Sequence, residues 1–198
     1  GGGLTCSLVD LPLVTGWNWF SLNAFMPDMS LSNVLLSLED GTAAYIKSQA
    51  AFSAYYDGNG WYGSLNEVNN TELYKLDMHG NESIEFLGVP VDVANTPIAL
   101  ASGWNWISYT PQVSLDINIA LADINEGSAE YIKNQASFSD YYENYGWFGQ
   151  LSTLEPYDGY ELNMSASDEF VYPSDGAALV LENNESDDNN YPSIWTLN

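Results

Sequence analysis

The stretch Gly16-Trp17-Asn18-Trp19-Phe20-Ser21 recurs as Gly103-Trp104-Asn105-Trp106-Ile107-Ser108. The residues downstream of the first copy recur downstream of the second. Tyr45-Ile46-Lys47 returns as Tyr131-Ile132-Lys133, Phe52-Ser53 and Tyr55-Tyr56 as Phe138-Ser139 and Tyr141-Tyr142, and Gly60-Trp61-Tyr62-Gly63 as Gly146-Trp147-Phe148-Gly149. Residues 45–65 and 131–151 share 13 identities in 21 ungapped positions. The offset falls from 87 at the first glycine to 86 downstream, so one residue is lost in between. Self-similarity of this length marks a tandem duplication. The expected organisation is an N-terminal arm over residues 1–13, a first repeat over 14–88 and a linker over 89–98. A second repeat occupies 99–174, and an acidic tail over 175–198 contains an apolar segment.

Each copy reads mostly as strand. Trp17, Trp19 and Ser21 alternate with Asn18, Phe20 and Leu22, a period of two with aromatics. Residues 30–38 read as a short helix capped by Ser30, with Leu31, Val34, Leu35 and Leu38 on one face and Gly41 at its end. Its counterpart lies in residues 114–127. Downstream is a hairpin turning at Asp57-Gly58-Asn59-Gly60, or at Glu143-Asn144-Tyr145-Gly146. Two more strands are expected over residues 73–78 and 83–87, matched by 159–164 and 169–172. The fold class is therefore α+β, mostly β: two homologous repeats, each an antiparallel sheet or sandwich with one short helix. Pro12 limits the N-terminal arm to an edge or extended conformation.

The charge balance excludes whole classes of partner. The chain has 27 acids, three lysines (Lys47, Lys75, Lys133) and no arginine, for a net charge of −24. Phosphate recognition depends on Arg and Lys, so neither nucleic acid nor an anionic membrane is an expected partner. Such a charge keeps a protein soluble but opposes its own association. No apolar run approaches the ~20 residues that span a bilayer. Cys6, the one cysteine, has no internal disulfide partner.

Chemistry-bearing constellations are sparse. The single histidine, His79, is matched by Ser165 in the second copy, and reads as a surface residue at a strand end. One His and one Cys do not make a usual zinc ligand set. No acid lies in a catalytic motif, and matched positions trade freely, Asp57 for Glu143 and Lys75 for Glu161. Asp57-Gly58-Asn59-Gly60 offers oxygen ligands for calcium but lacks EF-hand spacing, and reads as a hairpin turn. Sequons occur at Asn69, Asn81, Asn163 and Asn184. No cofactor and no catalytic set are expected.

The aromatics have two readings. Trp17, Trp19 and Trp61 with Tyr55 and Tyr56 could stack on saccharide rings. Alternatively the repeated tryptophans Trp17, Trp19, Trp61, Trp104, Trp106 and Trp147 fill the same core twice, the reading preferred for Trp17/Trp104 and Trp61/Trp147. Tyr56 and Tyr142 are expected at an interface, where tyrosine is enriched. Lys47 and Lys133 occupy one repeat position, and are either paired with a neighbour's carboxylate or solvated. Leu8 and Leu11 in the arm, and Ile194, Trp195 and Leu197 past the acidic run of residues 182–190, complete the expected assembly contacts.

The pattern Gly-Trp-Asn-Trp-[Phe/Ile]-Ser, Ile-Lys-x-Gln, Phe-Ser-x-Tyr-Tyr, Gly-Trp-[Tyr/Phe]-Gly-x-Leu covers about 150 residues. It resembles a repeat module of marine bacterial surface proteins and of diatom proteins. A tandem acidic pair of such units resembles the pyrenoid shell (PyShell) proteins of diatoms. That resemblance implies a pseudo-twofold protomer tiling with copies of itself, and with shell paralogues or Rubisco, into a shell around the pyrenoid in the chloroplast stroma, supporting CO2 fixation without catalysis. The alternative expectation is an extracellular adhesion or carbohydrate-binding module.

Overall fold

The computed structural model describes residues 5–174. In chain order the first half contains β1 (Ser7–Leu13), β2 (Gly16–Phe20), β3 (Ala24–Phe25), α1 (Leu31–Val34), β4 (Ala43–Lys47), β5 (Phe52–Tyr56), β6 (Gly60–Gly63), β7 (Tyr74–Met78) and β8 (Glu82–Pro90). A 3-10 turn at Val93–Asn95 leads to the second half: β9 (Ile98–Leu100), β10 (Gly103–Ser108), β11 (Leu115–Asp116), α2 (Ile117–Ala120), β12 (Ala129–Lys133), β13 (Phe138–Tyr142), β14 (Gly146–Gly149), β15 (Thr153–Leu154), β16 (Gly159–Met164) and β17 (Asp168–Phe170). The fold is α+β and mostly β, built from antiparallel sheets.

Each half is centred on a five-stranded sheet with the same strand order, β2-β7-β4-β5-β6 and β10-β16-β12-β13-β14. A smaller sheet covers one face, β1-β8-β3 in the first half and β9-β17 in the second. The period of two sorts the side chains. Phe20, Ile46, Leu76 and Met78 point inward against Leu13, Ile84, Leu31 and Val34. The second half repeats this with Ile107, Ile132, Leu162, Met164, Leu100, Phe170, Ile117 and Ala120. These are two separate cores, each supplied by its own half, apart from Tyr157, which packs on the first core.

Three boundaries differ from those expected. Residues 7–13 are not a free arm: they pair with β8 along their whole length, and Val9, Leu11 and Leu13 are buried. Pro12 is tolerated because β1 is an edge strand. Leu11 and Leu13 correspond at an offset of 87 to Ile98 and Leu100 of β9, so the arm is the first strand of its unit. The linker over 89–98 is likewise structured, since Val89 and Pro90 extend β8 and Val91 and Val93 are buried. The helices are single turns. Ser30 makes no side-chain cap, whereas Asp116 caps α2 by accepting from the Asn118 amide. One turn of Leu, Val and Ile has weak intrinsic helicity, and packing of its buried residues is what holds it.

Candidate functional site

The Gly-Trp-Asn-Trp motif divides into separate tasks. Gly16 and Gly103 adopt φ of 90° and 92°, a conformation open to glycine, and turn the chain into its strand. The next-but-one asparagine then clips that turn. Asn18 accepts from the Val14 amide at 2.9 Å and donates to the Val14 and Gly16 carbonyls at 2.7 and 2.9 Å. Asn105 does the same with Ala101 and Gly103. Asn on the core side leaves both tryptophans on the outer face.

That outer face overturns part of the core expectation. Trp17 and Trp104 are 41% and 45% exposed. Trp19 and Trp106 are half-buried, between the halves rather than within either core. Among the described tryptophans only those of the hairpins face inward, Trp147 buried and Trp61 half-buried against its core, because they stand on the opposite side of the pleat from Tyr62 and Phe148.

β2 and β10 are edge strands, and each is closed by the other half. The Gln49 amide group donates to the Trp104 carbonyl at 2.7 Å and accepts from the Trp106 N–H at 2.8 Å. Gln135 does the reciprocal, donating to the Trp17 carbonyl at 2.6 Å and accepting from the Trp19 N–H at 2.8 Å. A carboxamide matches the spacing of a peptide group, so each glutamine substitutes for a missing strand. Unpaired strand edges are templates for aggregation, and here two of them are silenced. The Ser21 amide donates to the Tyr157 carbonyl, and the Ser108 amide to the Thr71 carbonyl, extending the joint.

All three lysines meet in this joint. The Lys75 ammonium lies 3.5 Å from the Trp19 ring centroid and 3.9 Å from Trp106, and is ion-paired with Glu161. Lys133 pairs with the other Glu161 oxygen at 2.7 Å, with its ammonium 5.2 Å from the Trp104 centroid. Lys47 sits 5.0 Å from Trp17 and 5.9 Å from Trp106. Burial alone would raise the Glu161 pKa, but hydrogen bonds from Lys133 and Lys75 and their charges hold it below the ordinary value. Burial pulls Lys75 down, as do the charges of Lys47 and Lys133, against the opposing pull of Glu161. Lys75 and Glu161 hold equivalent register positions, opposite Trp19 and Trp106 respectively. Their exchange between the repeats, which reads in the sequence as free variation, is therefore a charge pair. Lys75, Glu161, Gln49 and Gln135 are the members of this site that sequence reasoning does not single out. The available signal is the shared Ile-Lys-x-Gln, which places Lys and Gln on one side of a strand end.

At the far edge of each five-stranded sheet the hairpins carry exposed aromatics. Tyr56 and Tyr62 are 57% and 58% exposed and meet edge to face at 5.7 Å. Tyr142 and Phe148, at 54% and 56%, meet at 6.0 Å. Between joint and hairpin, Trp17 packs edge-on against Tyr45, which stacks on Phe52, and Trp104, Tyr131 and Phe138 repeat the arrangement.

The remaining expected contact residues divide. Leu8 is exposed opposite the equally exposed Leu87, whereas Leu11 belongs to the first core and is removed from the contact set. Ile194, Trp195 and Leu197 lie outside the described residues. The Asp57-Gly58-Asn59-Gly60 stretch forms the hairpin turn, and no group of three potential metal ligands occurs among the described residues. Among these residues, too, no helix is long and apolar enough to cross a membrane. Comparison with protein-family models, curated proteins and solved structures gives no match.

Proposed function

We propose that this protein is a structural, non-enzymatic component that assembles with copies of itself into a sheet-like or tubular shell, of the kind that encloses the Rubisco-containing pyrenoid and supports CO2 fixation in the chloroplast. The observation that carries the reading is the repeated aromatic hairpin. Each half spends its inner edge on the other half and leaves its outer edge, with Tyr56 and Tyr62 or Tyr142 and Phe148, open to solvent. A protomer with the same adhesive element at two places can propagate a lattice, and related faces are what a repeating assembly requires. Aromatic residues are enriched among the anchors of protein interfaces.

The net charge of −24 opposes contact between copies, so assembly is promoted by salt or divalent cations. Electron microscopy and light scattering of the purified chain across a salt and calcium series test this. Ordered sheets or tubes are expected, and Tyr62→Glu combined with Phe148→Glu abolishes them. A particle of single-chain mass under every condition refutes the reading.

The exposed Trp17 and Trp104 favour a second reading, a carbohydrate-binding module. Against it, Trp17 and Tyr45 lie at 81° to each other rather than forming the coplanar row that a sugar chain stacks on. Glycan binding by a stable monomer would select this reading.

A further inference from the structure

We infer that Lys47 is a seat for a carboxylate supplied by a second copy of this chain. The inference rests on the assembly reading and names one of its contacts.

The two halves treat one position differently. In the second half Lys133 stands directly opposite Glu161 across β12 and β16, and the two pair at 2.7 Å. In the first half Lys47 stands directly opposite Lys75 across β4 and β7. Like charges directly opposed in a sheet are destabilising. Lys75 has Glu161, but Lys47 forms no ion pair among the described residues. Asp77, the acid diagonal to it on the same face, does not come within ion-pair distance. The Trp17 and Trp106 rings flank Lys47, which is half-buried and, among the described residues, without a counter-ion.

The scarcity of cations turns this into a statement about partners. The chain holds three lysines and 27 acids, and all three lysines sit in one cluster with a single carboxylate. The joint is thus an island of positive charge on a molecule that is elsewhere acidic. A second copy of the chain offers a surface rich in the complementary group. It is also the partner whose approach the net charge otherwise resists, so a local attraction has most effect there. The exposed face of Trp17 beside Lys47 provides an apolar wall against which an incoming acidic side chain can rest its methylenes.

The test uses the full-length chain and the variants K47R, K47Q and K47E, with assembly followed by light scattering and sedimentation across a salt series, and monomer stability by thermal unfolding. K47R assembles at wild-type salt. K47Q raises the critical assembly concentration roughly tenfold, the scale of losing one partly desolvated charge pair. K47E does not assemble in the conditions that suffice for the wild type. Monomer stability changes little in K47Q, because relief of the repulsion with Lys75 offsets the lost contacts with the Trp17 and Trp106 rings. Assembly of K47E at the wild-type concentration overturns the seat alone. So does a K47Q chain that loses stability while its assembly is intact, which would make Lys47 an internal staple. A wild-type chain that remains at single-chain mass throughout overturns the assembly reading, and the seat with it.

Discussion

Replacing Glu161 by glutamine isolates the charge at the joint with almost no change of shape. Glu161 is 8% exposed and is the acid that pairs with both Lys75 and Lys133. With the carboxylate neutralised, Lys75 remains 8% exposed beside two other ammonium groups. Breaking a buried ion pair from one side costs about 3–5 kcal/mol, because the surviving charge is left uncompensated. For a chain of this size about 2–4 °C of melting temperature accompanies each kcal/mol, so E161Q melts roughly 6–20 °C below the wild type. The pH dependence distinguishes this from lost packing. The folded pKa of Glu161 lies below its ordinary 4.5, so its contribution is present above that value and is lost as pH falls through the folded pKa. E161Q lacks that acid-side loss. Its deficit against the wild type narrows in acid, and it narrows again at alkaline pH as Lys75 sheds its proton. The double variant K75M/E161L removes both charges between the same tryptophan faces and melts close to the wild type. Differential scanning calorimetry across pH, with circular dichroism to confirm the fold, supplies the data. An E161Q chain within about 2 °C of the wild type at neutral pH would refute the claim that the joint depends on this pair.

The geometry dictates three further outcomes. Burial raises the pKa of Tyr74, Tyr160 and Tyr172 above the ordinary 10.0; their protonated forms contribute stability that is full below that value. Between pH ~10 and ~11 each phenol that ionises only on unfolding takes about 1 kcal/mol from stability, Tyr157 acts in the same direction, and Lys75 opposes as a single group; denaturant titration with tyrosinate absorbance measures the fall. Gln49→Ala and Gln135→Ala each remove two hydrogen bonds from a strand edge, at about 1–3 kcal/mol, and hydrogen exchange should speed at Trp106 and Trp19 respectively; exchange unchanged at those amides would contradict the edge-capping role. Asn18→Ala and Asn105→Ala leave the turn into the tryptophan strand unclipped and cost about 1–3 kcal/mol each in chemical denaturation, with no such loss for a surface control such as Asn59→Ala.

The legible part of the fold is what local pattern dictates. Alternation and the duplicated hairpin place the strands, because a period of two over β-branched and aromatic residues has one economical solution. The pattern fails at Trp17 and Trp104 because alternation says which residues share a face, not which face is inside. Asn18 and Asn105 decide that: a buried asparagine is tolerable only where its polar atoms have partners, and the turn supplies three hydrogen bonds. β1 reads as an arm because Pro12 and the glycines before it look like punctuation. The buried alternation of Val9, Leu11 and Leu13, and its match to Ile98 and Leu100, is present but weak over so few residues. The joint is not legible, because contacts between positions 55 to 118 residues apart leave no periodic trace.

The joint explains why two halves of the same strand order carry opposite charges at one equivalent position. A position that lies across the interface from its own equivalent meets itself in any symmetric pair of units. Lysine there would bury Lys against Lys, and glutamate would bury Glu against Glu, each an uncompensated charge pair in a water-poor site. A single chain carrying both units can hold Lys75 on one side and Glu161 on the other, and convert the clash into a bond. The same substitution makes the joint selective. First half with second half closes it, while first with first or second with second does not. The cost appears one strand away: Lys at residue 75 stands against Lys47, whereas the equivalent Lys133 faces the carboxylate of Glu161. The charge left over by that exchange is Lys47, the lysine that forms no ion pair among the described residues.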